Sequence, residues 1–312
     1  PGPLVAESGD LQIRRLVLVA PFGATEVSLH DARTIKQVGS ITLPGKLSAG
    51  PQGRVSTMGR FALFAFQDST AGDAPTLALV DLVLRKAVSL GIKGDTVRQS
   101  SFEPRWGGSG GARLPLESKW LWAVDGTGKL YRVELPELPK TIADASPTPI
   151  DTGRGDVVRV IWAPDTGGSP PAKHLLGLAR TGTEVFIYDP VTKTYGQADA
   201  GPASTSDPGA KPVDLTYIRR KDGDGELRAV VISVGAADGW ADVYTFSGST
   251  ITRADIKQSS RLRLNFISQK PLLPVAVHAV PGTATALLSY TSYPETQYSF
   301  VYSFFNGVGV GA

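Results

Sequence analysis

The sequence predicts an all-β fold assembled from six copies of one antiparallel module. Three observations support this prediction: a repeated phrase of two apolar runs joined by a polar turn, a nearly constant spacing between its copies, and many turn-forming residues. The chain contains 35 glycines and 23 prolines among 312 residues, which favours frequent turns over long helices. Its composition, 41% hydrophobic and 20% charged, is typical of a globular protein with a buried core.

The repeated phrase is clearest in "HLLGLARTGTEVFIYDP", residues 174–190. An apolar run leads into a polar turn, a second apolar run follows, and an acidic residue closes the phrase. Runs of this kind, rich in branched and aromatic residues and bounded by turn residues, are typical of β-hairpins. The other copies occupy residues 17–31, 61–82, 121–135, 228–248 and 287–307.

The polar residue that closes the second run measures the repeat. These closing residues are Asp31, Asp81, Glu134, Asp189, Ser247 and Asn306. Their successive separations are 50, 53, 55, 58 and 59 residues. A near-constant period of this size indicates a repeat architecture, with units longer than a WD40 unit and close to a kelch unit.

Most copies also have a strand-like run before the phrase and a polar tail after it. Examples of the preceding run are residues 157–164, 212–218 and 274–280. Four short β runs joined by turns make an antiparallel meander with two apolar faces, which one meander cannot bury alone. Modules packed radially would bury these faces against one another, as the blades of a β-propeller do. Two stacked β-sandwiches would lack the constant period, and a β-solenoid would have shorter rungs.

The phrase resembles that of β-propeller blades over about residues 14–307. The likeness is architectural, because the WD dipeptide and a repeated kelch double-glycine pattern are missing. We therefore expect an all-β propeller of four-stranded antiparallel blades, with six blades favoured and seven as the alternative. Residues 1–10 are expected to be a leader remnant or tag scar, and residues 11–312 a single propeller domain.

Charge and cysteine content narrow the classes of function. The formal net charge is only +3, with the basic residues scattered, so we expect no nucleic-acid partner. No apolar run reaches the length of a membrane span. The chain has no cysteine, which excludes disulfides, thiolate metal sites and cysteine nucleophiles. This fits an extracytoplasmic protein (periplasmic, cell-surface or secreted) of a bacterium-like host.

Residues 220–227, "RKDGDGEL", are the candidate metal site. The stretch resembles the calcium loop of integrin-type propeller repeats, with Asp222 and Asp224 at two of its ligand positions and Glu226 as a further oxygen donor. The flanking carboxylate positions fall on Arg220 and Arg228, whose charges would repel the ion. The sequence therefore favours a tight Asp-Gly hairpin over a calcium site, and no other cofactor is expected.

Residues 103–113, "EPRWGGSGGAR", form the first candidate binding loop. Trp106 lies between Arg105 and Arg113, on what we expect to be a loop joining the first two strands of a blade. An exposed tryptophan flanked by arginines can stack on a sugar or bind an anion. The alternative is a flexible hairpin whose tryptophan folds back over the blade edge.

Asp238 and Trp240, in "AADGWADV", form the second candidate. They are expected in the turn between the second and third strands of a blade, on the face that binds ligands in many propellers. Trp120, Trp122 and Trp162 lie instead inside strand-like runs and are expected to pack in the core.

No catalytic residue is expected from the sequence. The three histidines, His30, His174 and His278, lie in or beside strand-like runs without metal-ligand spacing. We therefore favour a non-enzymatic binding or scaffolding propeller whose loops contact a protein or carbohydrate partner. The alternative is a hydrolase or lyase with a carboxylate-lined central channel, assisted by calcium.

Overall fold

The structure is a computed structural model of the chain, and it forms two compact units, Pro1–Gly155 and Asp156–Ala312, which are described separately. The expectation of one domain over residues 11–312 stays a prediction. The described residues are 5–7, 10–12, 16–48, 53–56, 58–67, 74–107, 114–137, 140, 142, 147–162, 175–179, 184–189, 194–199, 211–219, 227–234, 239–247, 250–253, 261–263, 273–279, 286–291, 299–305 and 310–311.

Unit 1 contains three antiparallel sheets and two separate hairpins within its described residues. The first sheet has the order β3-β4-β5; in the second, β6 and β7 both pair with β8, which continues to β9 and β10; the third is β11-β14-β15-β16. The hairpins are β1-β2 and β12-β13. The strands are β1 (Val5–Glu7), β2 (Asp10–Gln12), β3 (Leu16–Val19), β4 (Glu26–Asp31), β5 (Gln37–Thr42), β6 (Lys46–Leu47), β7 (Arg54–Val55), β8 (Phe61–Gln67), β9 (Thr76–Asp81), β10 (Lys86–Lys93), β11 (Ser101–Phe102), β12 (Arg105–Gly107), β13 (Leu114–Leu116), β14 (Trp120–Val124), β15 (Leu130–Glu134) and β16 (Pro149–Asp151).

Unit 2 contains three further antiparallel sheets. The fourth sheet is β17-β18-β19-β20, the fifth is β21-β22-β23-β24 with β25 also paired to β23, and the sixth is β26-β27-β28-β29. The strands are β17 (Val157–Trp162), β18 (Leu175–Ala179), β19 (Glu184–Asp189), β20 (Thr194–Asp199), β21 (Lys211–Arg219), β22 (Leu227–Val234), β23 (Gly239–Ser247), β24 (Thr250–Arg253), β25 (Arg261–Arg263), β26 (Leu273–Ala279), β27 (Ala286–Thr291), β28 (Ser299–Phe305) and β29 (Val310–Gly311).

Each repeat found in the sequence corresponds to one sheet of the structure. The closing residues Asp31, Asp81, Glu134, Asp189 and Ser247 are the last residues of β4, β9, β15, β19 and β23. Asn306 directly follows β28 and lies outside the described residues. In the second to fifth sheets the closing residue ends the third strand of the meander. The first sheet has three described strands, which correspond to the second, third and fourth strands of the other meanders.

The second sheet shows why the apolar runs are continuous. Side chains alternate between the two faces of a strand, so Phe61 and Leu63 of β8 join a cluster with the third sheet. Ala62 and Phe64 of the same strand join a cluster with the first sheet. Both faces of β8 are therefore buried, as expected for a strand covered on both sides.

The same layering occurs in unit 2. Leu176 and Leu178 of β18 share a buried cluster with Leu215 of β21 and Val231 of β22, so the fourth and fifth sheets pack face to face. Among the described residues of the chain, no helix is long and apolar enough to cross a membrane.

Candidate binding surface

A short β-hairpin projects from the third sheet. β12 and β13 pair with each other, with Arg105 opposite Leu116 and Trp106 opposite Pro115. The hairpin interrupts the connection from β11 to β14, which are the first two strands of this sheet. The sequence predicted that these residues connect the first two strands of a blade, and they do; the connection is a hairpin, the alternative considered, because Arg105–Gly107 is extended strand rather than irregular loop. A two-stranded ribbon tolerates Pro115, since its backbone nitrogen need not donate to a further strand.

An ion pair joins Arg105 to the segment that follows β15 of the third sheet. Its Nη1 lies 2.9 Å from Oε1 of Glu137, in the segment that follows β15. The Arg105 side chain is 34% exposed and that of Glu137 is 62% exposed, so water screens the pair and its stabilising effect is small. Its main effect is to hold one guanidinium and one carboxylate side by side at the surface.

A buried arginine anchors both segments that carry this ion pair. Arg60 donates from Nη1 to the carbonyl of Pro136 at 2.8 Å and from Nη2 to the carbonyl of Lys140 at 3.1 Å. Its backbone nitrogen donates to Oε2 of Glu117, the residue after β13, at 2.9 Å. Arg60 therefore connects the second sheet to the base of the hairpin and to the segment that holds Glu137.

One exposed apolar side chain lies opposite Arg105 in the hairpin. Leu116, opposite Arg105, is 40% exposed. In the connection from β13 to β14, Lys119 Nζ lies 3.6 Å from Glu134 Oε1, and the Lys119 carbonyl accepts a hydrogen bond from the nitrogen of Leu135 at 2.8 Å. We refer to Arg105, Leu116, Lys119, Glu134 and Glu137 as the hairpin surface.

Aromatic and basic side chains stack on the neighbouring strands β14 and β15. The Arg132 guanidinium lies 3.5 Å from the centre of the Trp120 ring and 5.5 Å from that of Trp122. Trp122 is buried, as is Trp162 of β17 in unit 2, which confirms their predicted packing role. Trp120 is only partly buried, and Lys119 Nζ lies 5.8 Å from its ring centre.

Most of the other predicted site residues are beyond the described part of the chain. Arg113, Asp222, Asp224, Glu226 and Asp238 lie outside the described residues, so the calcium loop and these binding roles stay predictions. For Trp106 and Trp240 the structure describes the position of the backbone only. Trp240 is the second residue of β23, opposite Ser233 of β22 and Arg263 of β25, rather than in the turn where the sequence placed it.

The histidines show no catalytic arrangement within the described residues. His30 holds its own hairpin turn, with Nε2 3.0 Å from Ser28 Oγ and Nδ1 3.1 Å from the carbonyl of Ile35. His278 lies on β26 and is exposed, and His174 is outside the described residues. Among the residues that the structure describes, no group of three or more His, Cys, Asp or Glu could hold a metal ion.

Sequence reasoning missed the buried charges that position the hairpin. Arg60 directly precedes the apolar run of β8, and its carboxylate partner Asp81 was noted only as a repeat marker. The closing position of the phrase was the available signal, because a carboxylate that ends a buried strand needs a cation or several donors nearby.

Comparison with known proteins identifies the fold class. No family model matches the chain, and no curated protein matches it. Among solved structures, it is similar to U3-55K, with a TM-score of 0.50 and 9% identity, over 88% of this chain and 71% of that chain.

Two further structures are similar at lower scores. Apo AztD from Citrobacter koseri has a TM-score of 0.47 and 12% identity, over 100% of this chain and 71% of that one. The dihydro-heme d1 dehydrogenase NirN in complex with DHE has a TM-score of 0.41 and 12% identity, over 92% of this chain and 63% of that one. At 9% identity the likeness to U3-55K shows the fold alone. Together with the antiparallel meanders, it makes this chain an all-β protein of the β-propeller class.

Proposed function

We propose that the protein is a non-enzymatic binding or scaffolding propeller, and that the hairpin surface contacts a partner protein. The observation that carries this proposal is the anchoring of the hairpin: Arg60 holds its base through Glu117, and Glu137 holds Arg105. A segment ordered before binding loses less conformational entropy when the partner docks, which favours affinity.

The chemistry of the hairpin surface supports a protein partner. Leu116 supplies an apolar contact opposite Arg105, and the hairpin surface carries charges of both signs, on Arg105 and Lys119 against Glu134 and Glu137. Protein interfaces commonly combine an apolar centre with a polar rim, and arginine is enriched in them. A carbohydrate partner would instead depend on an aromatic ring for stacking, and Trp106 is the residue predicted for that role.

Crosslinking followed by affinity measurement tests the proposal. A photoreactive amino acid at position 116 should capture a partner from extracts of the source cells. The same group at Ile150, which is 55% exposed on β16, should not capture that partner. With the partner purified, Leu116→Asp should weaken binding roughly ten-fold or more, because a truncated central contact commonly costs 1–2 kcal/mol or more.

A charge swap separates direct contact from positioning. Arg105→Glu and Glu137→Arg should each weaken binding, and the double variant restores the ion pair with its polarity reversed. If the partner contacts these charges directly, the double variant still binds weakly. If the pair only positions the hairpin, the double variant regains the affinity of the unmodified protein. The pair is exposed, so neither single variant should lose more than about 1 kcal/mol of folding stability.

Two results would contradict the proposed protein partner. The first is that Leu116→Asp and both charge variants bind the purified partner as tightly as the unmodified protein does, which would place the contact elsewhere. Alternatively, a glycan array could give binding that is lost in Trp106→Ala but kept in Leu116→Asp, which would favour a carbohydrate partner.

An extracytoplasmic location belongs to the same proposal. Its support is the absence of cysteine from all 312 residues, a composition compatible with an oxidising compartment. Fractionation of the source cells with an antibody against the chain tests it, and recovery in the cytoplasmic fraction alone would contradict it.

A further inference from the structure

We propose that two neighbouring turns of unit 1 form a surface that binds anionic lipid membranes. The first turn, residues 32–36, joins β4 to β5, and the second, residues 82–85, joins β9 to β10. Together with Lys86, the first residue of β10, we call them the basic turns. They share no residue with the hairpin surface, so this proposal and the proposed protein partner can fail separately.

The two turns have the same backbone arrangement. Each follows an aspartate, Asp31 or Asp81, whose Oδ1 accepts hydrogen bonds from the backbone nitrogens two and three residues later, at 2.8 to 3.1 Å. The fourth residue after the aspartate has a positive φ, 57° at Ile35 and 53° at Arg85. Each turn is therefore ordered by its own aspartate.

Arg85 places the second turn beside the first sheet. Its Nη1 lies 2.9 Å from the position that a Cβ would have at Gly39 of β5, so the guanidinium packs over this glycine. Val38 of β5 and Ala87 of β10 also pack on the same apolar cluster. The first two sheets therefore bring the two turns next to each other.

The basic turns concentrate positive charge. Their exposed cations are Arg33, Lys36, Arg85 and Lys86. Within the described part of the chain, none of these four side chains forms an ion pair or a hydrogen bond. The nearby carboxylate of Asp81 is already paired with Arg60. The corresponding connection of the third sheet differs, because Glu137 there pairs with Arg105. Uncompensated positive charge thus lies on the turns of the first two sheets.

The basic turns also expose apolar side chains. Ile35, between two of the cations in the sequence, is 67% exposed, and Val83 is 39% exposed. A β-branched residue at positive φ is strained, and glycine is the residue that this conformation favours. Ile35 is therefore both strained and exposed, which indicates a role for its side chain outside the folding of the turn.

This combination matches the surface of an anionic membrane. Lysine and arginine are attracted to negatively charged lipid headgroups, and each contributes about five-fold to binding near such a surface. An apolar side chain among them can enter the boundary between headgroups and acyl chains. A nucleic acid would pair its phosphates with the cations and offers no apolar layer for Ile35. The ligand is therefore a bilayer that contains anionic lipid.

Sedimentation of the full chain with lipid vesicles tests the proposal. One set of vesicles is pure phosphatidylcholine, and the other contains equal parts of phosphatidylcholine and phosphatidylglycerol. We expect binding to the anionic vesicles only, and weaker binding in added salt, because salt screens the charges. Equal sedimentation with both kinds of vesicle, or with neither, overturns the proposal.

Charge variants assign the binding to the basic turns. Lys36→Gln and Lys86→Gln should each weaken binding to anionic vesicles about five-fold. Lys93→Gln is the matched control, because Lys93 is also exposed and is the last residue of β10, at the other end of the strand from Lys86. It should leave binding nearly unchanged. Equal losses in all three variants would mean that only net charge matters, which overturns the site.

Ile35→Gly separates membrane contact from folding. The variant removes the apolar side chain and relieves the strained backbone, so it should weaken vesicle binding roughly five-fold or more without lowering the melting temperature. Unchanged binding in Ile35→Gly would mean that the turns attract anions by charge alone. That result, or tighter binding to a DNA duplex than to the vesicles, overturns the membrane as the ligand.

A fluorescent label measures the insertion directly. The chain has no cysteine, so Ile35→Cys provides a single attachment site for an environment-sensitive dye. Anionic vesicles should shift the emission of this dye to shorter wavelength. The same dye on Ile150→Cys, at an exposed position of β16, should not respond. A dye at position 35 that stays in water while the protein sediments with vesicles overturns the proposal.

Discussion

Arg60 and Asp81 form an ion pair buried inside unit 1, with Nη2 and Nε of the arginine 2.8 and 3.0 Å from the same carboxylate oxygen, Oδ2. The other oxygen, Oδ1, accepts hydrogen bonds from the backbone nitrogens of Val83 and Leu84 at 3.0 and 3.1 Å. The Asp81 side chain is fully buried. The pair therefore joins the start of β8 to the end of β9, while the remaining donors of Arg60 hold the third sheet.

Breaking this pair should destabilise the protein strongly. Asp81→Ala leaves the Arg60 charge buried without its carboxylate, and such changes cost about 3–5 kcal/mol. Urea unfolding monitored by tryptophan fluorescence measures the free energy of unfolding. Lys129→Ala is the control: it removes an ion pair of 3.6 Å whose side chains are 55% and 48% exposed, and should cost less than about 1 kcal/mol. Equal costs for the two variants would refute a structural role for the buried pair.

Unit 2 uses a related arrangement between its own sheets. Arg159 of β17 forms a buried ion pair with Asp214 of β21. The Asp214 carboxylate also accepts hydrogen bonds from the backbone nitrogens of Leu215 and Val277, each at 2.9 Å. The first strands of the fourth, fifth and sixth sheets are thus joined through one carboxylate. In both units, buried charge connects successive sheets.

The sequence predicted the features that depend on local pattern. Apolar runs and turn residues are properties of neighbouring positions in the chain. The strands, and the repeat whose closing residues run from Asp31 to Ser247, could therefore be predicted from the sequence. Arg60 and Asp81 are 21 positions apart, and the contacts of Arg60 with Pro136 and Lys140 depend on how two sheets pack. A sequence pattern contains no such information. Arg105–Gly107 was predicted as loop rather than strand, because three-residue strands give almost no periodic signal.

Gly177 should be intolerant of any side chain. It lies on β18 directly opposite Phe186 of β19, and the aromatic ring occupies the space that a Cβ at position 177 would need. Gly177→Ala should reduce the free energy of unfolding by about 1–3 kcal/mol, the usual cost of overpacking a core. Gly155→Ala is the matched control, since nothing lies within 4 Å of its Cβ position. If the two variants prove equally stable in urea, the close packing of Gly177 against Phe186 is wrong.

The turn between β14 and β15 should make stability depend on acidic pH through Asp125. Burial, the largest single contribution, raises the pKa of this carboxyl. Hydrogen bonds from Thr127 Oγ1, the nitrogens of Lys129 and Thr127, and Tyr131 OH together outweigh it. The net pKa in the folded protein is therefore below the ordinary value of 3.8.

A carboxyl whose pKa is lowered by folding stabilises the folded state above its unfolded pKa, and that contribution disappears as pH falls through the folded pKa. The free energy of unfolding should thus fall more steeply below about pH 4 in the unmodified protein than in Asp125→Asn, which has no carboxyl to protonate. Thr127→Ala removes one donor to Oδ1, at 2.7 Å, and should move the pKa of Asp125 back towards 3.8. An NMR titration of the Asp125 carboxyl carbon measures this directly. If the titration midpoint is unchanged in Thr127→Ala, the threonine hydroxyl does not stabilise the carboxylate. If the unmodified protein and Asp125→Asn lose stability in parallel as the pH falls, Asp125 does not contribute to acid destabilisation.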